Sequence, residues 1–292
     1  MYDLLGVGVV TIDTLLQVDA YPPEDSKTLV RARRARLGGL TGAALVAAAR
    51  FGARCAYAGL LGDSPAARQM RQLMEAEGID LAHAPYQADA GPVESFIIVS
   101  AQNQSRTIFH DSSRPCGAHP RLPEESLLRQ TRVFFADHHS AEGMLRAARA
   151  AHAAGVPVVA DIERFTAPAV EELLALADHL IVSHGFAARV TGEREPQAML
   201  AKLWHSQRSL VAVTRGADGA WWTDGAGVHH QPAFPVRALD TTGCGDVFHG
   251  VYAALLAGGA PTAERVRVAA AAAAVKAAQW EIPTREQVER LI

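Results

Sequence analysis

The chain reads as an α/β fold: a mainly parallel sheet covered by helices, with a small separate sheet beside it. Two observations carry this. From residue 133 onward, short apolar β-prone runs alternate with helical ones, the order that builds a parallel sheet between helix layers. Earlier, the β-prone stretches at about 11–36 and 92–111 do not fit that alternation and read as a sheet of their own. The 292 residues, 49% apolar, suffice for one large domain. We read residues 1–292 as a single domain carrying both sheets.

In chain order, residues 4–10 are a short apolar strand, and 11–18 and 28–36 are strands around a turn at Pro22-Pro23. Gly38-Gly39 precedes an alanine-rich helix over 42–51. A strand over 55–60 and a helix over 65–77 follow, then a hairpin of 95–100 with 106–110 across Gln102-Asn103-Gln104. Strands are expected at 133–136, 156–160, 179–182 and 210–214, with helices at 143–154, 169–176 and 196–204 between them. Residues 219–236 are β-rich, and the alanine run 269–274 reads as a tightly packed helix. Over 247–256, Val247, Phe248, Val251, Ala254 and Leu255 share one helix face, and Gly258-Gly259 stops it.

Composition excludes several classes of function. Net charge is −3, which implies no nucleic-acid surface. No apolar run reaches the length of a membrane span and the N-terminus lacks a basic region followed by an apolar one, so a cytoplasmic protein is expected. Cys55, Cys116 and Cys244 have neither metal-like nor redox spacing and read as free thiols. There is no GxxxxGK[ST], and the glycine turn Gly6-Val7-Gly8 lacks the third glycine of a dinucleotide fingerprint, since Thr11 stands there. Lys27, Lys202 and Lys276 are the three lysines among 28 basic residues.

The densest chemistry is Asp240-Thr241-Thr242-Gly243-Cys244-Gly245-Asp246, set between an extended stretch at 234–239 and the helix at 247–256. The first amides of a helix have no intrahelical acceptor, and the helix dipole adds partial positive charge. Gly243, Cys244 and Gly245 therefore form an anion hole. A carboxylate at its lip, Asp246, suits phosphoryl transfer: charge develops at the amides while the carboxylate takes a proton from an attacking hydroxyl.

These seven residues, continued by Val247-Phe248, resemble the C-terminal signature of the ribokinase (PfkB) family of carbohydrate kinases, with Cys244 in place of the usual alanine. Similarity extends over nearly the whole chain: Gly6-Val7-Gly8 with Asp13, Gly38-Gly39 through Arg50-Phe51-Gly52, Gly59 with Gly62-Asp63, and the turn Thr214-Arg215-Gly216 with Gly219. The resemblance implies a ribokinase-like three-layer α/β/α sandwich, with residues 11–36 and 92–111 as a β-sheet lid and a homodimer formed through the lids. It implies an ATP- and Mg2+-dependent sugar kinase, with K+ as a further cofactor. Asp13, Lys27, Gly38, Gly39, His110 and His138 are then the sugar contacts. Thr214, Gly216 and Gly219 face the nucleotide, and Asp161, with Glu163 and Arg164 behind it, has a magnesium or phosphate role. Asp240 and Thr242 hold a monovalent cation.

Three departures stand out. The asparagine expected after the Gly-Gly pair is Ala43. The family's N-x-x-E falls at 183–186, where neither residue is present. The late loop after the alanine helix is nearly missing, since 276–284 runs straight from helix to Ile-Pro. Pro23-Glu24-Asp25-Ser26-Lys27, Gln231-Pro232-Ala233-Phe234 and Val247-Phe248-His249-Gly250 resemble the bacterial sulfofructose kinase branch, in which Lys27 would meet an acidic sugar. The acceptor is expected to be a small ketose-like or acidic sugar. A non-catalytic sugar or nucleotide sensor and a nucleoside kinase remain open beside it.

Overall fold

A computed structural model describes residues 1–103, 105–165 and 167–292. Gln104, in the turn expected across Gln102-Asn103-Gln104, lies outside the described residues. The first half contains β1 (Tyr2–Val7), β2 (Thr11–Val18), β3 (Ala32–Gly38), α1 (Leu40–Arg50), β4 (Cys55–Tyr57), α2 (Pro65–Ala76), β5 (Val93–Ser100), β6 (Arg106–Asp111), α3 (Glu125–Leu128) and β7 (Thr131–Asp137). There follow α4 (Ala141–Ala153), β8 (Val158–Asp161), α5 (Pro168–Leu176), β9 (His179–Ser183), α6 (His184–Thr191), α7 (Pro196–Leu203) and β10 (Leu210–Thr214). The chain closes with β11 (Ala220–Thr223), β12 (Val228–Gln231), α8 (Cys244–Ala257), α9 (Thr262–Ala277) and α10 (Arg285–Glu289).

The larger sheet has eight strands in the order β12-β11-β10-β9-β8-β7-β1-β4. All neighbours from β4 to β10 are parallel, and the β11–β12 hairpin adds antiparallel strands at one edge. Two hydrophobic cores cover its faces. One draws on α1, α2, α8, α9 and α10, the other on α3 to α7. Strands buried on both faces need continuous apolar runs, which is why Leu180-Ile181-Val182 and Val211-Ala212-Val213 carry no alternation. The smaller sheet has the order β3-β2-β5-β6.

Several boundaries moved, and three of the shifts bear on the site. Strand β3 starts at Ala32 rather than residue 28, and residues 19–30 pass outside both sheets. Strand β4 is only Cys55–Tyr57, because the chain then leaves the sheet and the Leu60 amide bonds to Gly117 O at 2.8 Å. Helix α8 begins at Cys244, three residues early, because Gly243 takes a left-handed φ of 81° that lets the helix start inside the glycine run.

Two features place the site. Val7, Asp137, Asp161, Ser183 and Thr214 all end parallel strands on one edge, where ligands bind in open α/β sheets. Helix α8 lies close against α1: a Cβ on Gly250 would stand 2.1 Å from Ala44 O, so a larger residue would push the helices apart. That contact aims the N-terminus of α8 over the strand ends.

Candidate active site

The small sheet closes over the strand ends and leaves a narrow cavity lined by Asp13, Arg36, Gly38, Gly39, Gly243 and Asp246, with Ala43 and Lys276 at its wall. Asp13 comes from β2, and its Oδ1 accepts a 2.7 Å hydrogen bond from the Thr11 hydroxyl. A Cβ on Gly38 would lie 2.3 Å from Asp13 Oδ2, so the glycine makes room for the carboxylate. In register, Asp13 pairs with Arg36 on one side and Ser95 on the other, and Ser95 pairs with His110. The four side chains therefore share the inner face of the small sheet. His110 stands exposed at the far strand of that row.

At the N-terminus of α8 the first intrahelical bond is Val247 N to Gly243 O at 2.9 Å. The Gly245 and Asp246 amides precede it and point out of the helix end. Nothing lies within 4 Å of a Cβ built on Gly245, so the hole is open on that side. Asp246 is partly buried, and its pKa is pushed well up by burial first and by the Asp161 and Glu163 carboxylates next. Asp161 is buried at the end of β8 and pushed up by burial, Glu163 and Asp137. Behind them, His249 places Nδ1 2.9 Å from Gly245 O and 3.3 Å from Asp161 Oδ2, and Nε2 2.9 Å from Ile181 O. Its neutral ring can donate to only one of those carbonyls, and burial opposes the charged form that would serve both.

On the other side of α8 lies a cavity of about 560 Å³. Thr214, Gly216 and Gly219 line it from the turn after β10, Cys244 and Gly245 from α8, and alanines from α9 close it. Its size suits a small-molecule site. The turn needs its glycine: Gly219 has φ 91°, and a Cβ there would stand 2.1 Å from Gln231 O.

Not every expected residue arrives. Lys27 is exposed on the irregular 19–30 segment and lines neither cavity; the strand expected to begin right after it begins only at Ala32. His138 is 1% exposed, its ring 4.5 Å from that of His139, and burial pushes its pKa down to about 4. It lines neither cavity. Asp161 lines neither cavity but sits below Asp246. Cys244 carries a thiol pushed up to about 11, burial being the main cause, so it is a neutral, unreactive member of the hole.

The expected cation pair is also filled differently. Asp240 Oδ2 receives Arg36 Nη1 at 2.9 Å and Lys276 Nζ at 3.1 Å, and Asp240 Oδ1 accepts the Thr242 amide at 2.9 Å. Burial alone would raise the Asp240 pKa, but Lys276, the Thr242 amide and Arg36 outweigh it and hold the carboxyl low. Arg36 Nε also stands 3.8 Å from Asp13 Oδ2, so it links the acceptor cavity to the loop before α8.

Residues unforeseen from the sequence include Arg36, Asp137, Thr41 and the role of Lys276. Buried Asp137, at the end of β7, accepts from the Val9 amide at 2.6 Å, the Thr41 hydroxyl at 2.9 Å and the His139 amide at 2.8 Å. It pins the loop after β1. Gly8 is required there, since its Cβ would sit 2.1 Å from the Asp137 carboxylate. An acid at the end of an apolar strand was the available signal.

Among the described residues, no helix is long and apolar enough to cross a membrane. Residues 3–280 match the pfkB family carbohydrate kinases. A ribokinase of Haemophilus influenzae is 27% identical over 97% of this chain and 96% of its own. The fold is shared with a ribokinase from Thermotoga maritima, at TM-score 0.84 and 23% identity over 100% of this chain and 99% of that one. An Arabidopsis thaliana ribokinase complexed with ribose and ATP superposes at TM-score 0.83, 22% identical over 99% and 98% of the two chains. The site at the strand ends, the two cavities meeting at one helix N-terminus and these matches agree: the chain belongs to the pfkB family of carbohydrate kinases, phosphotransferases acting on sugar hydroxyl groups.

Proposed function

We propose that the protein transfers the γ-phosphoryl group of ATP to a primary hydroxyl of a small, neutral, polyhydroxylated sugar. The observation that carries this reading is the shared wall: Gly243 and Asp246 line the narrow polar cavity, while Cys244 and Gly245 line the large apolar one. A nucleotide in the large cavity, lying along Thr214, Gly216 and Gly219, would bring its terminal phosphate to the anion hole. A sugar held by Asp13 and the Gly38-Gly39 backbone would bring a hydroxyl to Asp246. The carboxylate takes the hydroxyl proton as the phosphorus–oxygen bond forms, and the Gly243–Gly245 amides meet the charge on the transferring group. The small sheet excludes water, so hydrolysis does not compete.

Among the described residues no group of three or more His, Cys, Asp or Glu could hold a metal by itself. The donor set nevertheless fits magnesium, which is commonly bound by one or two carboxylates together with substrate phosphates. Burial first, and the neighbouring carboxylates next, hold the pKa values of Asp161 and Asp246 well up, a field that a divalent cation relieves. When bound, magnesium offsets phosphate charge.

A neutral acceptor follows from the charges. Arg36 and Lys276, the basic groups at the acceptor cavity, are engaged by Asp13 and Asp240. The carboxylates of Asp13 and Asp246 accept from hydroxyls and repel an anionic sugar. Lys27 and His138 stand outside the cavity lining, which argues against an acidic substrate. The outer face of the small sheet presents Phe96 and Phe109 directly opposite each other, 49% and 52% exposed, and these suit a homodimer through the lids. A coupled ADP-release assay across pentoses, hexoses, acidic sugars and nucleosides tests the assignment. Release with a neutral pentose or hexose is expected. Clear sugar or ATP binding by calorimetry with no release from any acceptor would instead favour a sensor, and release with nucleosides alone a nucleoside kinase.

A further inference from the structure

The monovalent cation implied for Asp240 does not fit this chain, because a side-chain cation already occupies the place. Lys276 leaves the last turn of α9 and is 1% exposed. Its ammonium lies 3.1 Å from Asp240 Oδ2, 3.3 Å from Asp240 O and 3.3 Å from Gln279 O. One carboxylate oxygen and two main-chain carbonyls around a single positive charge are the ligand types that replace the hydration shell of an alkali cation. An ammonium carries the same charge and makes three directed hydrogen bonds to them.

Asp240 is also held from its other side. Arg36 Nη1 takes Asp240 Oδ2 from the other side at 2.9 Å and also reaches Trp280 O at 2.9 Å. The carbonyls of Gln279 and Trp280 are both committed to side-chain cations because the chain turns directly after α9, where a longer loop would otherwise bring further oxygens. A free cation within contact distance of Asp240 would meet two like charges already paired there.

The same ammonium is tied to the reacting centre. Ala277 O, one residue on, accepts the Leu239 amide at 2.7 Å and the Asp240 amide at 3.1 Å, so α9 grips the backbone that leads into the anion hole. A Cβ on Gly243 would lie 4.0 Å from Lys276 Cε, which places the lysine stem against the first residue of the hole.

We propose that Lys276 is a built-in replacement for a monovalent cation, a positioning residue that holds the Asp240–Gly243 loop and makes this kinase independent of K+. The proposal rests on the phosphoryl-transfer reading for its kinetic consequence, and on geometry alone for its binding consequence.

Two readouts test it. In thermal melting without substrates, the wild-type chain should melt at the same temperature in potassium chloride, ammonium chloride and choline chloride of equal ionic strength. Lys276→Ala should melt lower in choline and recover in a saturable way with potassium or ammonium, which enter the space left by the side chain. Lys276→Met fills that space without charge and should not recover. In turnover, wild-type rates should agree within about twofold across the three salts. Lys276→Ala should lose about 100-fold in kcat in choline, the lower end for removing a preorganised positive group, with little change in sugar KM, and regain most of it in potassium. Specific stabilisation or activation of the wild type by potassium overturns the proposal, whether or not the variants fold. Equal rescue of the Ala and Met variants does so too, because the cation would then sit elsewhere. The expected melting pattern with no turnover toward any sugar would uphold the replacement and sink the kinase reading instead.

Discussion

Asp246→Asn should abolish turnover and at the same time stabilise the protein. The two effects come from one cause. Burial and the Asp161 and Glu163 carboxylates lift the Asp246 pKa well above its ordinary 3.8. Between 3.8 and that raised value, the native chain holds a proton that the unfolded chain has released. Native stability therefore falls as pH rises through this window, and the whole penalty is present above it. Each unit of upward displacement corresponds to about 1.4 kcal/mol. Because Asp161 shares the repulsion, a single neutral replacement should recover stability and raise the melting temperature at pH 7.5, by about 2 °C for each kcal/mol regained in a chain of this size. The gain should shrink toward zero near pH 4, where wild-type Asp246 is protonated anyway. Turnover should fall about 10²- to 10⁴-fold, the usual contribution of a general base, with nucleotide binding retained. Coupled ADP release measures the first effect and calorimetric melting at both pH values the second. Activity near wild type would end the base assignment. A drop in melting temperature at pH 7.5 would show that the Asp246–Asp161 repulsion is not what raises these groups.

Other perturbations separate the parts of the site. Arg36→Met removes the cation that Asp13 and Asp240 share, leaving buried carboxylate undercompensated; a loss of about 3 kcal/mol in urea unfolding is expected, the low end because Lys276 remains. Gly245→Ala has space for its methyl and should fold normally, but the methyl enters the anion hole, so kcat should fall at least tenfold with the melting temperature unchanged or higher. Lys27→Ala should leave both KM values within about twofold, since the lysine is exposed and outside both cavities; a rise of tenfold or more in sugar KM would show that the small sheet closes further and carries Lys27 onto the sugar.

The fold was legible because its signals are local. Buried parallel strands such as 180–182 and 211–213 must be apolar throughout, and the alternation with helices leaves one arrangement. The anion hole was legible for the same reason: a glycine run, a helix pattern and an acid within seven residues need no tertiary information. The start of α8 shifted by three residues because the left-handed φ at Gly243 decides it, and propensity does not report that angle. The clamp from Asp13 through Arg36 to Asp240 was not legible. It joins residues up to 204 positions apart, and Arg36 looks like any other member of an arginine-rich strand. Lys276 left a faint trace, as one of three lysines in the chain, placed where a loop was missing. What the lysine touches depends on how α9 turns back on residue 240, which is a fact of packing. Lys27 shows the converse. It drew attention by its rarity, its place before a strand of the small sheet and the branch resemblance, and it lies exposed on the 19–30 segment, outside both cavities.

The arrangement of charge explains why the site is clamped so heavily. On the floor of the cleft, Asp161 and Asp246 are disfavoured as charged groups by burial first and by neighbouring carboxylates, Glu163 among them, next. Such a floor would push the α8 N-terminus away from the strand ends unless something held it. The anchors lie outside the repelling group. Gly250 locks α8 to Ala44, Lys276 and Arg36 draw Asp240 inward, and Asp137 ties the loop after β1 to β7. Lys276, Asp240 and Asp137 are buried and Arg36 partly so, so their interactions are little screened by water or salt. The strain is thus confined to the carboxylates that a magnesium–nucleotide complex would neutralise. On the proposed reading, a magnesium–nucleotide complex would offset that charge, and the acceptor hydroxyl would meet Asp246 once its neighbours no longer favour the protonated form. If Asp246 is the base we propose, it would be most available with the phosphoryl donor in place, which favours transfer to sugar over idle proton exchange.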